Sequence, residues 1–331
     1  MYQGNTIGAV IPAYNEESFV GEVIETLPSF VDRAYVVDDC STDDTWDEIA
    51  RHADAGIEPD AVQSPLPDGG TAAGPQVVPI QHDENRGVGG AIKTGYQRAL
   101  ADELDVTVVI SGDGQSEPDI VERVLQPVVD GEAGYAKGNR LHSGDRDEMP
   151  AFRRVGNFVL TYLTKISSGY WRTMDPQNGS TAISHSALSA VDIGEMYEDY
   201  GYCNHLLAML NAEEVTVADV PHRAVYDDEE SHIEYQTYVP KVSWLLLRNF
   251  TGRLQETYLG REFHPLPAFY LVGAAGSLTG LLAAAKRVFD GEDGGLVAPL
   301  AIVLVGVLSM LVAAVLDFEE NRDLTVHAEE P

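Results

Sequence analysis

The sequence predicts an α/β fold with a mostly parallel central sheet, followed by a helical hairpin long enough to span a membrane. Two observations predict it. Over about the first 110 residues, short apolar runs that end in polar turns alternate with segments of helical period, the pattern that builds a parallel sheet. Further on, residues 266–285 and 296–316 are two stretches without a charge, each about the 20 residues a helix needs to cross a hydrocarbon core.

The elements follow in order. Thr6 to Ile11 is an apolar run, and Asn15, Glu16 and Glu17 precede a helix-period stretch through Leu27. Ala34 to Val37 is the next strand; it ends at Asp38-Asp39, with Ser41 and Thr42 available to cap a helix through about His52. Residues 56–76 are rich in proline, glycine and acids and read as a surface insertion before a strand over Val77 to Gln81. Gly87 to Leu100 reads as a helix, and Val106 to Ile110 as a strand that delivers Gly112, Asp113, Gly114 and Gln115 into a loop. In such a sheet the ligand crevice lies beyond the carboxyl ends of the strands. Three polar clusters fall there: Pro12 to Glu17, Asp38 to Thr45, and Ser111 to Asp119.

Composition narrows the function. Asp and Glu number 53 against 21 Lys and Arg, a formal charge of -32, which excludes a general binder of nucleic-acid backbones. The acidity is spread along the chain and only five of the basic residues are lysine (Lys93, Lys137, Lys165, Lys241, Lys286), a pattern suited to high salt, where self-repulsion is screened. Cys40 and Cys203 are the two cysteines, too few for a disulfide framework and expected as packed thiols. Residues 1–8 lack a basic segment leading into an apolar one, so no secretory signal is expected.

Four basic residues flank the hairpin (Arg248, Arg253, Arg261, Arg322), against Lys286 and Arg287 in its loop. This favours cytoplasmic termini. Ahead of the hairpin, residues 236–261 hold four cations and a single acid, Glu256, among apolar residues at helical spacing, as in a helix lying in the membrane interface. The expected organisation is a cytoplasmic catalytic domain over 1–230, an interface segment over 231–263, a multi-pass hairpin over 264–318 in the cell membrane, and a cytoplasmic tail over 319–331.

The run Val10-Ile11-Pro12-Ala13-Tyr14-Asn15-Glu16-Glu17, then Val37 to Thr45, Asn85-Arg86-Gly87-Val88-Gly89-Gly90-Ala91 and Gly112-Asp113-Gly114-Gln115 resembles the family 2 glycosyltransferases. Within them it is most similar to the dolichyl-phosphate hexose synthases, and the two C-terminal spans resemble haloarchaeal members that serve protein N-glycosylation. The resemblance covers roughly the first 230 residues. It implies a nucleotide-sugar-binding GT-A type fold and inverting transfer of a hexose, glucose favoured, from a nucleotide sugar, UDP favoured, to dolichyl or polyprenyl phosphate. Carried over by position, Pro12, Tyr14, Glu16, Asp38 and Asp39 would hold the nucleoside, and Lys93 is a candidate for the donor phosphates. Asp113 and Gln115 would hold Mg²⁺ or Mn²⁺ with the diphosphate. Gly138-Asn139-Arg140 matches the stretch that grips the acceptor phosphate, with Arg153 or Arg154 as a second cation, so Asp113 and Arg140 carry the expected catalysis.

One departure stands out. The family's Asp-x-Asp signature begins here with Ser111, a neutral and weaker ligand for a hard cation. A phosphate acceptor is already an anion and needs positioning and charge screening, whereas an alcohol needs a general base. Two other readings follow: a membrane glycosyltransferase with a hydroxyl acceptor and Glu198 or Asp199 as base, or a tethered nucleotide-sugar-binding pseudoenzyme. Asp175-Pro176-Gln177-Asn178-Gly179 has the look of a substrate loop, and 227–231 of an acidic loop over the acceptor path.

Overall fold

A computed structural model describes residues 1–55, 74–112, 118–140, 151–222, 235–261, 264–290 and 296–328. The insertion expected over 56–76 and the acidic loop over 227–231 lie wholly or largely outside these residues.

The chain runs β1 (Ile7–Ala13), α1 (Val20–Glu25), β2 (Arg33–Asp38), α2 (Thr45–Ala55), β3 (Gln76–Gln81), α3 (Val88–Ala101), β4 (Val106–Val109), α4 (Pro118–Val129), β5 (Tyr135–Asn139), α5 (Ala151–Ser168), β6 (Thr181–Ser184), α6 (His185–Ala190), α7 (Tyr202–Ala212), β7 (Val217–Pro221), α8 (Tyr235–Gln255), α9 (Leu266–Asp290), α10 (Val297–Asn321) and β8 (Thr325–His327). The strands form one sheet in the order β3-β2-β1-β4-β6-β5-β7-β8. Pairing is parallel except where β6 runs antiparallel between β4 and β5.

Alternation along the strands makes two cores. Ile7, Ala9 and Ile11 of β1 face one side with Ala34 and Val36 of β2, packed by Val20, Val23 and Ile24 of α1, Ile49 of α2 and Ile120, Val124 and Leu125 of α4. Val10 and Tyr35 point to the other side, against Ile92 and Tyr96 of α3 and Leu206, Leu207 and Leu210 of α7. Both faces of the sheet are therefore covered, as a parallel sheet requires. Such burial is worth about 25 cal/mol per Å² of apolar surface.

The cap of α2 differs from expectation. The Ser41 hydroxyl accepts from the Asn15 amide N–H at 2.9 Å, and the Thr42 N–H and hydroxyl donate to Asn15 Oδ1 at 2.8 and 3.2 Å. Asp43 receives the Thr45 N–H instead, at 3.1 Å. Two hydroxyls that could have capped a helix serve to lace one loop to another.

The two apolar stretches form α9 and α10, longer than expected, so that Lys286 and Arg287 end α9 and do not begin a loop. Their mean hydropathies are 1.6 and 2.7 and they are mostly uncovered; Leu271, Val272 and Val305 are 72, 65 and 67% exposed. An exposed apolar surface of that extent is unsuited to water and matches a candidate membrane hairpin. The helices cross closely: a Cβ on Gly306 would lie 2.6 Å from the Gly273 carbonyl oxygen, and one on Gly280 2.8 Å from that of Pro299. Small residues are what let backbones in lipid approach this far.

Both ends of the hairpin meet the rest of the chain. Leu266 at the start of α9 is buried with Leu254 and Tyr258. After α10 the chain turns through a short 3-10 segment (Arg322–Leu324) into β8, which adds to the sheet beside β7 with Val217 opposite Thr325. The segment 319–331, expected as a tail, thus includes an edge strand. Arg253 also departs from expectation, since it does not face the membrane: it is 2% exposed and paired with Asp317 of α10 at 2.8 Å. One of the four flanking cations is thereby neutralised inside the protein.

Candidate active site

The sheet brings the polar clusters together at the carboxyl ends of its strands. The loops after β1 and β2 are tied by the Asn15 contacts above, by Glu16 N–H to the Thr45 hydroxyl at 2.8 Å and by Asp44 N–H to the Glu17 carboxylate at 3.0 Å. Asn15 and Cys40 both adopt positive φ, 57° and 62°, which reverses the chain sharply after each strand. Pro12 ends up half-buried, Glu16 half-buried, and the Tyr14 ring 46% exposed at the rim.

Asp38 and Asp39 are buried, and each is held by protein groups. Asp38 accepts from the Ser41 N–H at 3.1 Å and from Gln81 Nε2 at 3.0 Å. Asp39 accepts from the N–H groups of Arg86 and Gly87 at 2.9 and 2.7 Å and contacts His82 Nδ1 at 2.7 Å. Gly87 has φ 84°, and a Cβ there would lie 2.7 Å from the Glu198 carbonyl oxygen, so the turn that opens α3 requires glycine. The Asp39 carboxylate therefore fixes the start of α3 as well as the crevice wall, and His82 is a partner the sequence reading did not name.

Lys93 and Arg86 converge on Glu198, with Nζ at 3.0 Å and NH2 at 2.6 Å from the same carboxylate oxygen. The Arg86 hydrogen bond chiefly, with Lys93 adding to it against partial burial, holds the Glu198 carboxyl below its usual range. Asp199 receives Lys241 at 3.2 Å.

At the end of β4, Ser111 and Gly112 are set against β1, because a Cβ on Gly112 would lie 2.6 Å from the Pro12 carbonyl oxygen. Asp113 and Gln115 lie outside the described residues. Among the described residues no group of three or more His, Cys, Asp or Glu side chains is placed to hold a metal ion. Cys40 and Cys203 are both free thiols, and burial pushes the Cys203 thiol up to about 11.

The second half of the site gathers around Asp175. Arg140, just past β5, donates through Nε and NH2 to the two Asp175 oxygens at 2.8 and 3.1 Å, and its own N–H donates to the same carboxylate at 3.1 Å. Burial alone would raise the Asp175 carboxyl; the Arg140 hydrogen bonds and charge, with Lys137 behind them, outweigh it and hold the group at about 2. Asn178 Nδ2 reaches Asp175 at 3.3 Å and His222 Nε2 at 2.8 Å. The loop singled out in the sequence thus clamps the arginine singled out in the sequence.

Beneath lies a buried ion pair that the sequence reading missed. Lys137 Nζ donates to Asp219 at 2.8 Å and to the Met174 carbonyl, and Asn139 Nδ2 donates to Asp219 at 2.9 Å. Lys165 of α5 is half-buried, with Nζ 3.3 Å from the Met174 sulfur and no carboxylate partner among the described residues. Burial lowers its pKa, against the opposing Asp219 charge and with the Lys137 charge adding to it. Arg153 and Arg154 stand in the first turn of α5, with side chains outside the described residues.

Residues 9–191 match the family described as Glycosyl transferase family 2. The chain is 30% identical over 221 residues to a UDP-N-acetylglucosamine--dolichyl-phosphate N-acetylglucosaminyltransferase of Methanococcus voltae, a match spanning 66% of this chain and 85% of that one. It is 25% identical over 197 residues to a dolichol-phosphate mannosyltransferase of Pyrococcus furiosus, spanning 56% of this chain and 48% of that one. Among solved structures, glucosyl-3-phosphoglycerate synthase from Mycobacterium tuberculosis in complex with Mn²⁺ and UDP-glucose aligns with a TM-score of 0.51 at 20% identity, over 76% of this chain and 79% of that one. This last likeness is one of fold.

Proposed function

The chain belongs to the family 2 glycosyltransferases, and on that premise we propose that it transfers a hexose from a nucleotide sugar to dolichyl or another polyprenyl phosphate at the cytoplasmic face of the cell membrane. The donor is a UDP-sugar, with UDP-glucose favoured, and the product supplies protein N-glycosylation. The relative named for UDP-N-acetylglucosamine and dolichyl phosphate supports this donor and acceptor class.

The observation that carries the reading is Arg140 locked in bidentate geometry by Asp175. Its side chain, 40% exposed, stands pre-oriented at the carboxyl end of the sheet, with Lys165, which has no carboxylate partner among the described residues, against the neighbouring Met174. A planar fork held this way suits a phosphate better than a mobile cation does. Four residues before Asp175, Trp171 donates to Asp317 of α10 at 3.2 Å, in a hairpin apolar enough for a bilayer. α5 carries Arg153, Arg154 and Lys165 and no acid, inside a chain at -32, and exposes Phe158 and Tyr162, 61 and 50% exposed. Basic, apolar-faced α5 and α8 pack on one another and form the surface that meets the membrane.

The chemistry needs two electrostatic tasks and no general base. Pro12, Tyr14, Glu16, Asp38 and Asp39 shape the nucleoside end, Lys93 the donor phosphates, and Arg140 with Arg153 or Arg154 holds the acceptor anion in line with the anomeric carbon. Oxygen donors at the end of β4, Asp113 with Gln115 and more weakly Ser111, are the ligand type that Mg²⁺ or Mn²⁺ takes. Gly112, the last described residue before Asp113, packs against the Pro12 carbonyl oxygen. Asp113, Gln115 and Ser111 would hold the cation, which would supply charge neutralisation for the departing nucleoside diphosphate. Glu198, paired with two cations and held below its ordinary range, is a weak base, which disfavours a hydroxyl acceptor served by it.

The test is transfer of radiolabel from UDP-glucose, UDP-N-acetylglucosamine and GDP-mannose into an organic-extractable lipid, using membranes in molar salt with dolichyl phosphate, with and without Mg²⁺ or Mn²⁺. Label from UDP-glucose that depends on the lipid phosphate and the metal is expected. No label from any donor, with protein that binds nucleotide, contradicts the proposal and favours the binding-protein reading.

A further inference from the structure

Asp317 lies near the end of the second apolar helix, fully buried. A buried carboxylate is tolerated when it is paired and its lone pairs are filled, and here they are filled from four parts of the chain. Arg253 of α8 donates NH1 and NH2 to its two oxygens at 2.9 and 2.8 Å. Tyr258, in the π-helical turn Glu256–Arg261, donates its hydroxyl at 2.8 Å. Asn321 of α10 itself donates at 3.0 Å, and Trp171, in the segment between α5 and β6, donates Nε1 at 3.2 Å.

Two further guanidinium donors of Arg253 grip the end of α5, with Nε to the Ser167 carbonyl and NH2 to that of Ile166, both at 3.2 Å, and NH1 also reaches Asn211 Oδ1 at 3.5 Å. Gly169 makes room for this: its φ is +80°, and a Cβ there would lie 2.7 Å from Arg253 NH1. The network so joins the hairpin to α5, which carries acceptor-phosphate candidates, and to the segment that carries the clamp on Arg140. α5 bears Arg153, Arg154 and Lys165, and Trp171 is four residues ahead of Asp175, the partner of Arg140.

We propose that Arg253 and Asp317 are positioning residues that fix the height and tilt of the acceptor-phosphate site above the membrane hairpin, so that they govern turnover of a membrane-embedded acceptor and not of a water-soluble one. This rests on the acceptor proposed above. A lipid phosphate is confined to the headgroup plane, and an error of about 1 Å in where the site meets it can cost 10²-fold. A short acceptor diffuses to the site wherever the site stands.

The experiment compares the full chain with Arg253→Met/Asp317→Leu, which replaces the pair by apolar groups and leaves no unpaired charge, and with Trp171→Phe, which removes one hydrogen bond. Long-chain polyprenyl phosphate in proteoliposomes is compared with a short, water-soluble isoprenyl phosphate. Nitroxides at Arg98→Cys, an exposed position of α3, and at Val288→Cys near the far end of α9, in a Cys40→Ser background, report the hairpin-to-domain distance. The double variant is expected to bind UDP normally, to raise KM for the long-chain acceptor about tenfold or more, to keep short-chain kinetics within about threefold, and to broaden the spin-spin distance. Trp171→Phe shows the same split to a smaller degree, and decides the matter if the double variant loses UDP binding. Equal losses with both acceptors, or an unbroadened distance, overturn the proposal. If the wild-type chain glycosylates neither acceptor, it is the acceptor assignment that fails, and the distance measurement alone decides the positioning role.

Discussion

Replacing Asp175 by asparagine keeps the side chain's shape and removes the charge that clamps Arg140. Its carboxyl is held at about 2 against an ordinary value of 3.8, a shift worth about 2 kcal/mol at 1.36 kcal/mol per unit. The folded-state value is depressed, so this stability is fully present above about pH 4 and is lost as pH falls toward 2. The assay is a double-mutant cycle by urea unfolding of the full chain in detergent and molar salt at pH 7, with Asp175→Asn, Arg140→Gln and the pair. A coupling of about 2 kcal/mol is expected, and Asp175→Asn should raise KM for the acceptor phosphate by up to about 30-fold while the UDP affinity stays unchanged. Additivity within about 0.5 kcal/mol would refute the reasoning, because it would mean that the clamp contributes nothing.

Three other outcomes are expected. Gly169→Ala places a Cβ 2.7 Å from Arg253 and Asn211 at φ +80°, and should cost at least 1–2 kcal/mol of stability from the backbone alone, seen as a lower unfolding midpoint. Glu198→Gln with Asp199→Asn should slow transfer less than about tenfold, since loss of a true general base costs about 10²–10⁴-fold; a loss in that larger range would restore the hydroxyl-acceptor reading. Lys165→Met should raise KM for the acceptor phosphate several-fold without lowering stability at pH 7, because burial already opposes the charge on Lys165; a lower melting temperature with unchanged KM would make it a structural residue.

Much of the fold was legible because period and punctuation agree. The runs ending at Pro12, Asp38-Asp39 and Ser111 became β1, β2 and β4, and the uncharged stretches became α9 and α10. What escaped was long-range pairing. β8 is three residues long, and no local signal marks an edge strand whose partner lies about a hundred residues earlier. The cap of α2 was misread because Ser41 and Thr42 have the right chemistry for a helix, while the Asn15 loop competes for the same groups. In the candidate site, Arg140 and the loop at Asp175 were each singled out from the sequence, but the contact between them was not. Lys137 and Asp219 did leave a signal: each is a lone charge inside a buried strand, Tyr135–Asn139 and Val217–Pro221, and they sit opposite one another in register. A charge there requires a partner of opposite sign. Arg253 misled for the converse reason, since its counter-charge stands 64 residues away in a segment that reads as membrane.

The most direct measurement of the central claim is release of nucleoside diphosphate by the full chain in proteoliposomes, supplied with UDP-glucose and either dolichyl phosphate or dolichol, the same lipid without its phosphate. Sustained release with the phosphate and background release with the alcohol is the predicted result. Comparable release with both would show that the acceptor need not bring an anion for Arg140 to hold, and would contradict the account.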